Sequence, residues 1–235
     1  MRYSILLADA DGTLFDFHAG ERKALTVTMN TLGMAVNDDL VALYSRVNLS
    51  HWLRLERGET TQARLRVERF ADYWQELRAL GVAVPDVPPE NVSELFVEAL
   101  SAQRIPMPGA EALLKSVSAQ MPVYLVTNGI ARVQRARFEQ SELRLYMTDI
   151  LISEELGHAK PDPFMLLEAM RRAGVTDPRR AVMLGDSVSA DIGAANLAQV
   201  DSVLFTNGKP APESHGATFV APTLADAAQR VLAQA

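Results

Sequence analysis

The sequence predicts an α/β fold: a doubly wound parallel sheet interrupted by an all-helical insertion. Three observations predict it. Short apolar runs alternate with amphipathic segments from Pro122 onward, the gap before that region far exceeds one strand-to-strand crossover, and polar residues stand where the apolar runs stop. This alternation is the pattern of a sheet covered by helices on both faces.

The first element is the apolar run Tyr3 to Ala8, YSILLA. An uninterrupted apolar run bounded by turn formers suits an inner strand of a parallel sheet. It ends in Asp9-Ala10-Asp11-Gly12-Thr13. Ligands of such sheets sit at the carboxyl ends of the strands, and two adjacent aspartates repel one another and lose hydration unless a cation or donor compensates. The pair therefore invites a metal ion.

Helical patterns follow over Glu21 to Leu32, Asp38 to Arg57, Thr61 to Leu80 and Val92 to Gln103. The first three stop at Gly33, Gly58 and Gly81, and glycine just past a periodic segment is a usual helix stop. A strand-helix-strand unit takes about 30 residues, so roughly 80 of those between Asp9 and Val123 are surplus. Residues 17-105 accordingly read as a helical cap domain inserted straight after the carboxylate pair, with residues 1-16 and 106-235 forming the core. The connections run through Phe15 to Ala19 and through Ile105-Pro106-Met107-Pro108-Gly109. Helices placed there are expected to overhang the strand ends as a lid.

The remaining strands are VYLVTN (123 to 128), DILIS (149 to 153), AVMLGD (181 to 186) and SVLFTN (202 to 207). Amphipathic segments at 130 to 142, 162 to 173 and 188 to 199 connect them, and a helix at about 224 to 234 closes the chain. Polar residues recur at the strand ends: Thr127-Asn128-Gly129 after the second strand, and Gly185-Asp186 with Asp191 after a later one. Lys160 lies 33 positions after Thr127 and 26 before Asp186, each about one β/α unit, so these groups can converge with Asp9 and Asp11.

Composition narrows the function. The 235 residues are 48% hydrophobic, enough for a large domain or a core with a smaller companion. A formal net charge of -6 argues against a nucleic-acid groove, which needs clustered Lys and Arg. The absence of cysteine excludes disulfides, thiolate catalysis and Cys-ligated zinc or iron-sulfur sites. The apolar stretch before Asp9 is short for the core of a secretory signal, and no run approaches the roughly 18 apolar residues of a membrane span. A cytoplasmic protein is expected, with no nucleic-acid or membrane partner.

DADGT, VTNG, ISEELGHAKPDPF and GDSVSAD resemble the four motifs of the haloacid dehalogenase superfamily, in order and at the expected strand ends. The resemblance spans the chain and implies a Rossmann-like core with a helical C1-type cap. VTNG, ISEELGHAKP and a cap segment with Asn48, Trp52, Gly58 and Glu59 are similar, more narrowly, to the bacterial house-cleaning pyrimidine 5′-nucleotidases. The family pattern implies Asp9 as nucleophile and Asp11 as general acid/base. It implies Mg2+ held by Asp9, the Asp11 carbonyl and Asp186, with Asp191 acting through water or by orienting the others. Lys160, Thr127 and Asn128 would cradle the phosphoryl group. Dehalogenases of the superfamily lack the second Asp, so Asp11 favours phosphoryl transfer. After Asn196-Leu197-Ala198 many relatives have Gly where this chain has Gln199, a position suited to a helix C-terminal cap.

Other residues invite plainer readings. His18, His51, His158 and His215 share no metal-ligand spacing, although His18 lies on the hinge beside the expected site. Trp52, with Leu49 and Leu53 at helical spacing, reads as cap core rather than as a platform for substrate. Phe15 and Phe17 either stack on a base or anchor the hinge. The arginines at 64, 66 and 69 and at 132, 135 and 137 read as solvated helix faces.

The function expected is a Mg2+-dependent phosphatase of nucleoside 5′-monophosphates, acting as a monomer or homodimer. Alternatives are a phosphatase of phosphoglycolate or a sugar phosphate, or a phosphomutase. A phospho-acceptor signalling module fits poorly, because such modules resemble single domains of about half this length without a helical insert.

Overall fold

The structure, a computed structural model, describes residues 2-232. It divides into two compact units: one holds the chain up to Phe17 and from Arg104 onward, the other His18–Gln103. In chain order the helices are α1 (Phe17–Thr31), α2 (Asp38–Glu56), α3 (Gln62–Ala79), α4 (Pro89–Ser101), α5 (Ala110–Ser118), α6 (Ala131–Glu139), α7 (Ser153–Leu156), α8 (Phe164–Arg172), α9 (Gly193–Leu197) and α10 (Leu224–Leu232). The strands are β1 (Ile5–Ala8), β2 (Val123–Thr127), β3 (Asp149–Ile152), β4 (Ala181–Gly185), β5 (Asp201–Phe205) and β6 (Phe219–Ala221).

The strands form one sheet in the order β3-β2-β1-β4-β5-β6, with every pairing parallel. Successive side chains of a strand point to opposite faces, and the apolar residues divide accordingly. Leu6 and Ala8 join a core with Leu113, Leu114 and Val117 of α5 and Leu224, Ala227 and Val231 of α10. Ile5 and Leu7 join the other, with Met165, Leu166 and Ala169 of α8 and Ala194 and Ala195 of α9. Both faces are thus covered, as a parallel sheet requires. The chain order reverses between β1 and β4, and a ligand crevice is expected at such a switch point.

Three of these elements escaped the sequence, among them the four-residue α7. β6 is three residues long and only partly buried, too short for a periodicity. Helix α5 follows the Pro-rich connection and fills the crossover to β2. The closing helix predicted at about 224 to 234 is seen as α10, and positions 233 to 235 lie outside the described residues. Gln199 adopts a left-handed φ of 57 just after α9, the conformation that glycine adopts most readily.

In the helical unit, Gly33, Gly58 and Gly81 stand after α1, α2 and α3 with φ of 75, 71 and 74. Asn37 caps α2 by accepting the Leu40 N–H at 2.9 Å. The core is aromatic: the Tyr44 ring lies 5.4 Å from Phe70, 5.3 Å from Tyr73 and 5.3 Å from Phe96. Two expectations are corrected. The buried stripe of α2 runs through Val41, Tyr44, Asn48 and His51, which turns Leu49 and Leu53 outward and leaves Trp52 half-buried, so these three are not the core. Arg69 is not a solvated face either. It is buried, donates to Asn48 Oδ1 at 3.0 Å and lies over the Phe96 ring at 4.8 Å. Asn48 in turn donates to Glu21 Oε1 at 2.7 Å, and Ser45 donates to Oε2 at 2.6 Å. Burial raises the Glu21 carboxyl despite these donors, so the helical core carries a linked polar chain from Glu21 to Arg69.

Candidate active site

The site forms where β1 and β4 end side by side. Asp9 follows β1, and its N–H donates to the Leu184 carbonyl of β4 at 2.9 Å, continuing the ladder one residue beyond the strand. The chain then turns tightly: Leu14 and Phe15 both donate to the Ala10 carbonyl, and Gly12 donates to the Phe15 carbonyl. Gly12 has a φ of 93, and a Cβ there would overlap the Asp186 carboxylate. Glycine is needed twice over at this point, for the turn and for the approach of β4's acid. Thr13, buried, donates its hydroxyl to Asp186 Oδ1 at 3.2 Å.

Lys160 joins the parts. It arrives from the loop beyond β3 and is buried, with Nζ 2.7 Å from each of three acceptors: Asp9 Oδ1, Asp191 Oδ1 and the Val126 carbonyl of β2. An ammonium has three hydrogens to donate, and all three are taken. Burial lowers the Lys160 pKa by itself, but the charges of Asp191 and Asp9 outweigh it and hold the ammonium firmly protonated. Asp191 Oδ2 accepts the Ser187 N–H at 3.0 Å. Asp191 lies in a π-helical turn, Val188–Ile192, ahead of α9, and such turns are frequent at functional sites. A Cβ on Gly185 would strike its carboxylate.

Ligand oxygens of Asp9, Asp186 and Asp191 lie within 4.8 Å of one another, and no other such group of three or more His, Cys, Asp or Glu occurs among the described residues. One ammonium serves three carboxylates. Desolvation raises the Asp9 carboxyl well above the usual carboxylate range, Lys160 opposes this, and the charges of Asp191 and Asp186 add to it. Asp186, open to water on one side, is pushed up to about 7 by the burial of its remaining surroundings and by Asp191. The cluster thus lacks positive charge, and its donors are hard carboxylate oxygens, which suit Mg2+.

Thr127 ends β2, buried, and its hydroxyl accepts the Gly129 N–H at 3.0 Å. The Asn128 side chain pairs with the Lys160 backbone in both directions, each at 2.8 Å. That side chain fastens the Lys160 loop to β2. Asp11 stands apart from the other acids. Its two oxygens take Gln134 and Arg137, both on α6. Arg137 is therefore buried and paired, not solvated as its sequence suggests. Neither partner of Asp11 was legible beforehand; an arginine and a glutamine three apart on a helix show no sign of which way they face. Phe15 is core: buried, with the Arg137 guanidinium 5.5 Å from its ring.

Acids, an ammonium and a threonine hydroxyl thus gather at the strand ends of a doubly wound sheet. Residues 3–199 match the haloacid dehalogenase-like hydrolase family, and the chain belongs to that family. It is 29% identical over 228 residues to the pyrimidine 5′-nucleotidase YjjG of Escherichia coli K12, covering 95% of this chain and 96% of the relative. It is 30% identical to the pyrimidine 5′-nucleotidase PynA of Streptococcus pneumoniae R6, over 87% of this chain and 84% of the relative. The magnesium-bound structure of YfnB from Bacillus subtilis superposes with a TM-score of 0.88 at 26% identity, covering 99% of this chain and 100% of that one. The protein is a phosphatase of this family, a phosphoric monoester hydrolase acting on small phosphorylated metabolites. No helix of the described residues is long and apolar enough to cross a membrane.

Proposed function

We propose that the enzyme hydrolyses nucleoside 5′-monophosphates, pyrimidine nucleotides foremost, in a Mg2+-dependent reaction through an aspartyl-phosphate. The observation that carries the chemistry is the contact of Asp9 with Lys160 inside a carboxylate cluster short of positive charge. The substrate class is supported by the likeness to YjjG and PynA. Asp9, Asp186 and the Asp11 carbonyl would hold the ion, and Asp191 would steady Lys160 and the turn around it. When bound, Mg2+ neutralises phosphoryl charge that otherwise repels a carboxylate nucleophile.

Asp9 attacks phosphorus, forming an O–P bond as the bond to the ester oxygen breaks. Asp11 gives its proton to the departing alcohol, then takes one from the water that attacks the aspartyl-phosphate, so the enzyme returns to its starting state. Lys160 aims Asp9 and offsets phosphoryl charge, while the Thr127 hydroxyl and the Asn128 N–H bind phosphoryl oxygens.

The test is phosphate release from a panel of nucleoside monophosphates and sugar phosphates, with and without Mg2+. Pyrimidine 5′-monophosphates are expected to have the highest kcat/KM, and Asp9→Asn is expected to abolish turnover while leaving the fold intact. A stronger preference for a sugar phosphate overturns the substrate; wild-type turnover in Asp9→Asn overturns the mechanism.

A further inference from the structure

We infer that Gln134 and Arg137 are positioning residues for Asp11, holding its carboxylate where it exchanges a proton with the ester oxygen. The inference rests on the general acid/base reading of Asp11. Asp11 follows the first strand on a turn and is partly exposed, with 22% of its side chain accessible. A loop carboxylate left to itself samples several rotamers, yet a proton donor must lie within hydrogen-bond reach of the oxygen it serves.

The structure supplies a two-point hold. Gln134 Nε2 donates to one Asp11 oxygen and Arg137 Nη1 to the other, which fixes both the position and the plane of the carboxylate. The two donors lie three residues apart on α6 and so share one face. Both are buried, between Val133 and Phe138. The guanidinium lies over the Phe15 ring, on the far side of the same turn. Gly129 completes the arrangement: a Cβ there would overlap the Gln134 amide, so the glycine of the VTNG segment clears the path of Gln134 toward Asp11.

A packing role alone does not account for these residues. An apolar pair at 134 and 137 would seat α6 without desolvating a guanidinium, whose burial is costly. What the polar pair adds is direction, delivered from a helix to a carboxylate on a turn. Placement errors of about 1 Å can cost on the order of 10²-fold in rate.

The leaving group separates positioning from stability. A nucleoside 5′-hydroxyl needs a proton to depart, whereas p-nitrophenolate departs without one. The experiment measures kcat/KM of the full-length enzyme with Mg2+ on both esters, for wild type, Asp11→Asn, Arg137→Met, Arg137→Lys and Gln134→Leu. For Arg137→Met and Gln134→Leu, the loss on the nucleotide is expected to exceed that on p-nitrophenyl phosphate by about tenfold or more. Asp11→Asn should show the same contrast, and Arg137→Lys should recover part of it. If Asp11→Asn shows the contrast and the α6 variants lose equally on both esters, or lose nothing, the positioning inference is wrong. If Asp11→Asn shows no contrast, the acid/base reading beneath it is wrong, and the inference falls with it. Should Arg137→Met fail to fold, Gln134→Leu decides alone, its contrast supporting the inference and the lack of one overturning it.

Discussion

Replacing Lys160 by Met tests the electrostatic design of the site, because methionine keeps much of the length and removes the charge. In the folded protein Lys160 and Asp191 are each 1% exposed and Asp9 is 7% exposed. The substitution therefore leaves two buried carboxylates without their cation and the Val126 carbonyl without its donor. Removing one partner of a buried ion pair costs about 3–5 kcal/mol, and the expected loss lies in that range near neutral pH. The penalty attaches to the ionised carboxylates, so its pH dependence has a definite sign. Without Lys160 the folded-state pKa of Asp9, already raised by burial, moves further upward, the folded form binds more protons than the unfolded one, and stability falls as pH rises from the ordinary carboxylate range. The difference between Lys160→Met and wild type must shrink on acidification. Urea unfolding followed by far-UV circular dichroism is the suitable assay, since both tryptophans, Trp52 and Trp74, lie in the helical unit and report on it alone. A loss below about 1 kcal/mol at about pH 7.5, or an equal loss at about pH 5, would refute the reasoning.

Two further outcomes follow from the same structure. Gln199 is exposed and holds a left-handed φ of 57. Relief of that strain, less the greater freedom of glycine in the unfolded chain, should make Gln199→Gly more stable by about 0.5–1 kcal/mol, or roughly 1–4 °C in Tm; an unchanged or lower Tm would show that the backbone there is unstrained. On the proposed cation site, protons compete with Mg2+ for Asp9 and for Asp186, whose pKa is pushed up to about 7. The rise in Tm on adding Mg2+ should therefore be larger at about pH 8 than at about pH 5.5, and a rise that ignores pH, or persists unchanged in Asp186→Asn, would place the ion elsewhere.

Much of the core was legible because its signals are local. YSILLA and AVMLG are continuous apolar runs long enough to demand burial on two faces, and each ends in an acid. Gly33, Gly58 and Gly81 announce helix ends because a left-handed φ is a property of one residue. Even Gln199 could be singled out as a residue standing where glycine suits the backbone better. Shorter or less regular elements were not legible: β6 exists only because β5 offers it a hydrogen-bonding edge, with Val203, Leu204 and Phe205 paired to Phe219, Val220 and Ala221.

The facing of polar side chains on helices was also hidden. Arg69 and Arg137 look like solvent residues in the sequence, yet each is buried against a named partner, Asn48 in one case and Asp11 in the other. Conversely, Leu49 and Leu53 look like core and are exposed. Composition tells how much a side chain gains from leaving water, but a buried partner can reverse the outcome, and that partner is set by distant chain segments.

By itself, then, the sequence determined β1 to β5, the helices that end at glycine and the acids that stand where the strands stop, since each follows from neighbouring residues. Tertiary structure decided the rest. It set β1 against β4, brought Lys160 across 151 positions to Asp9, and gave Asp11 partners different from those of Asp9. Charges two residues apart share a sequence neighbourhood but not an electrostatic one, because the field at a carboxylate is made by whatever the fold packs within a few ångströms of it.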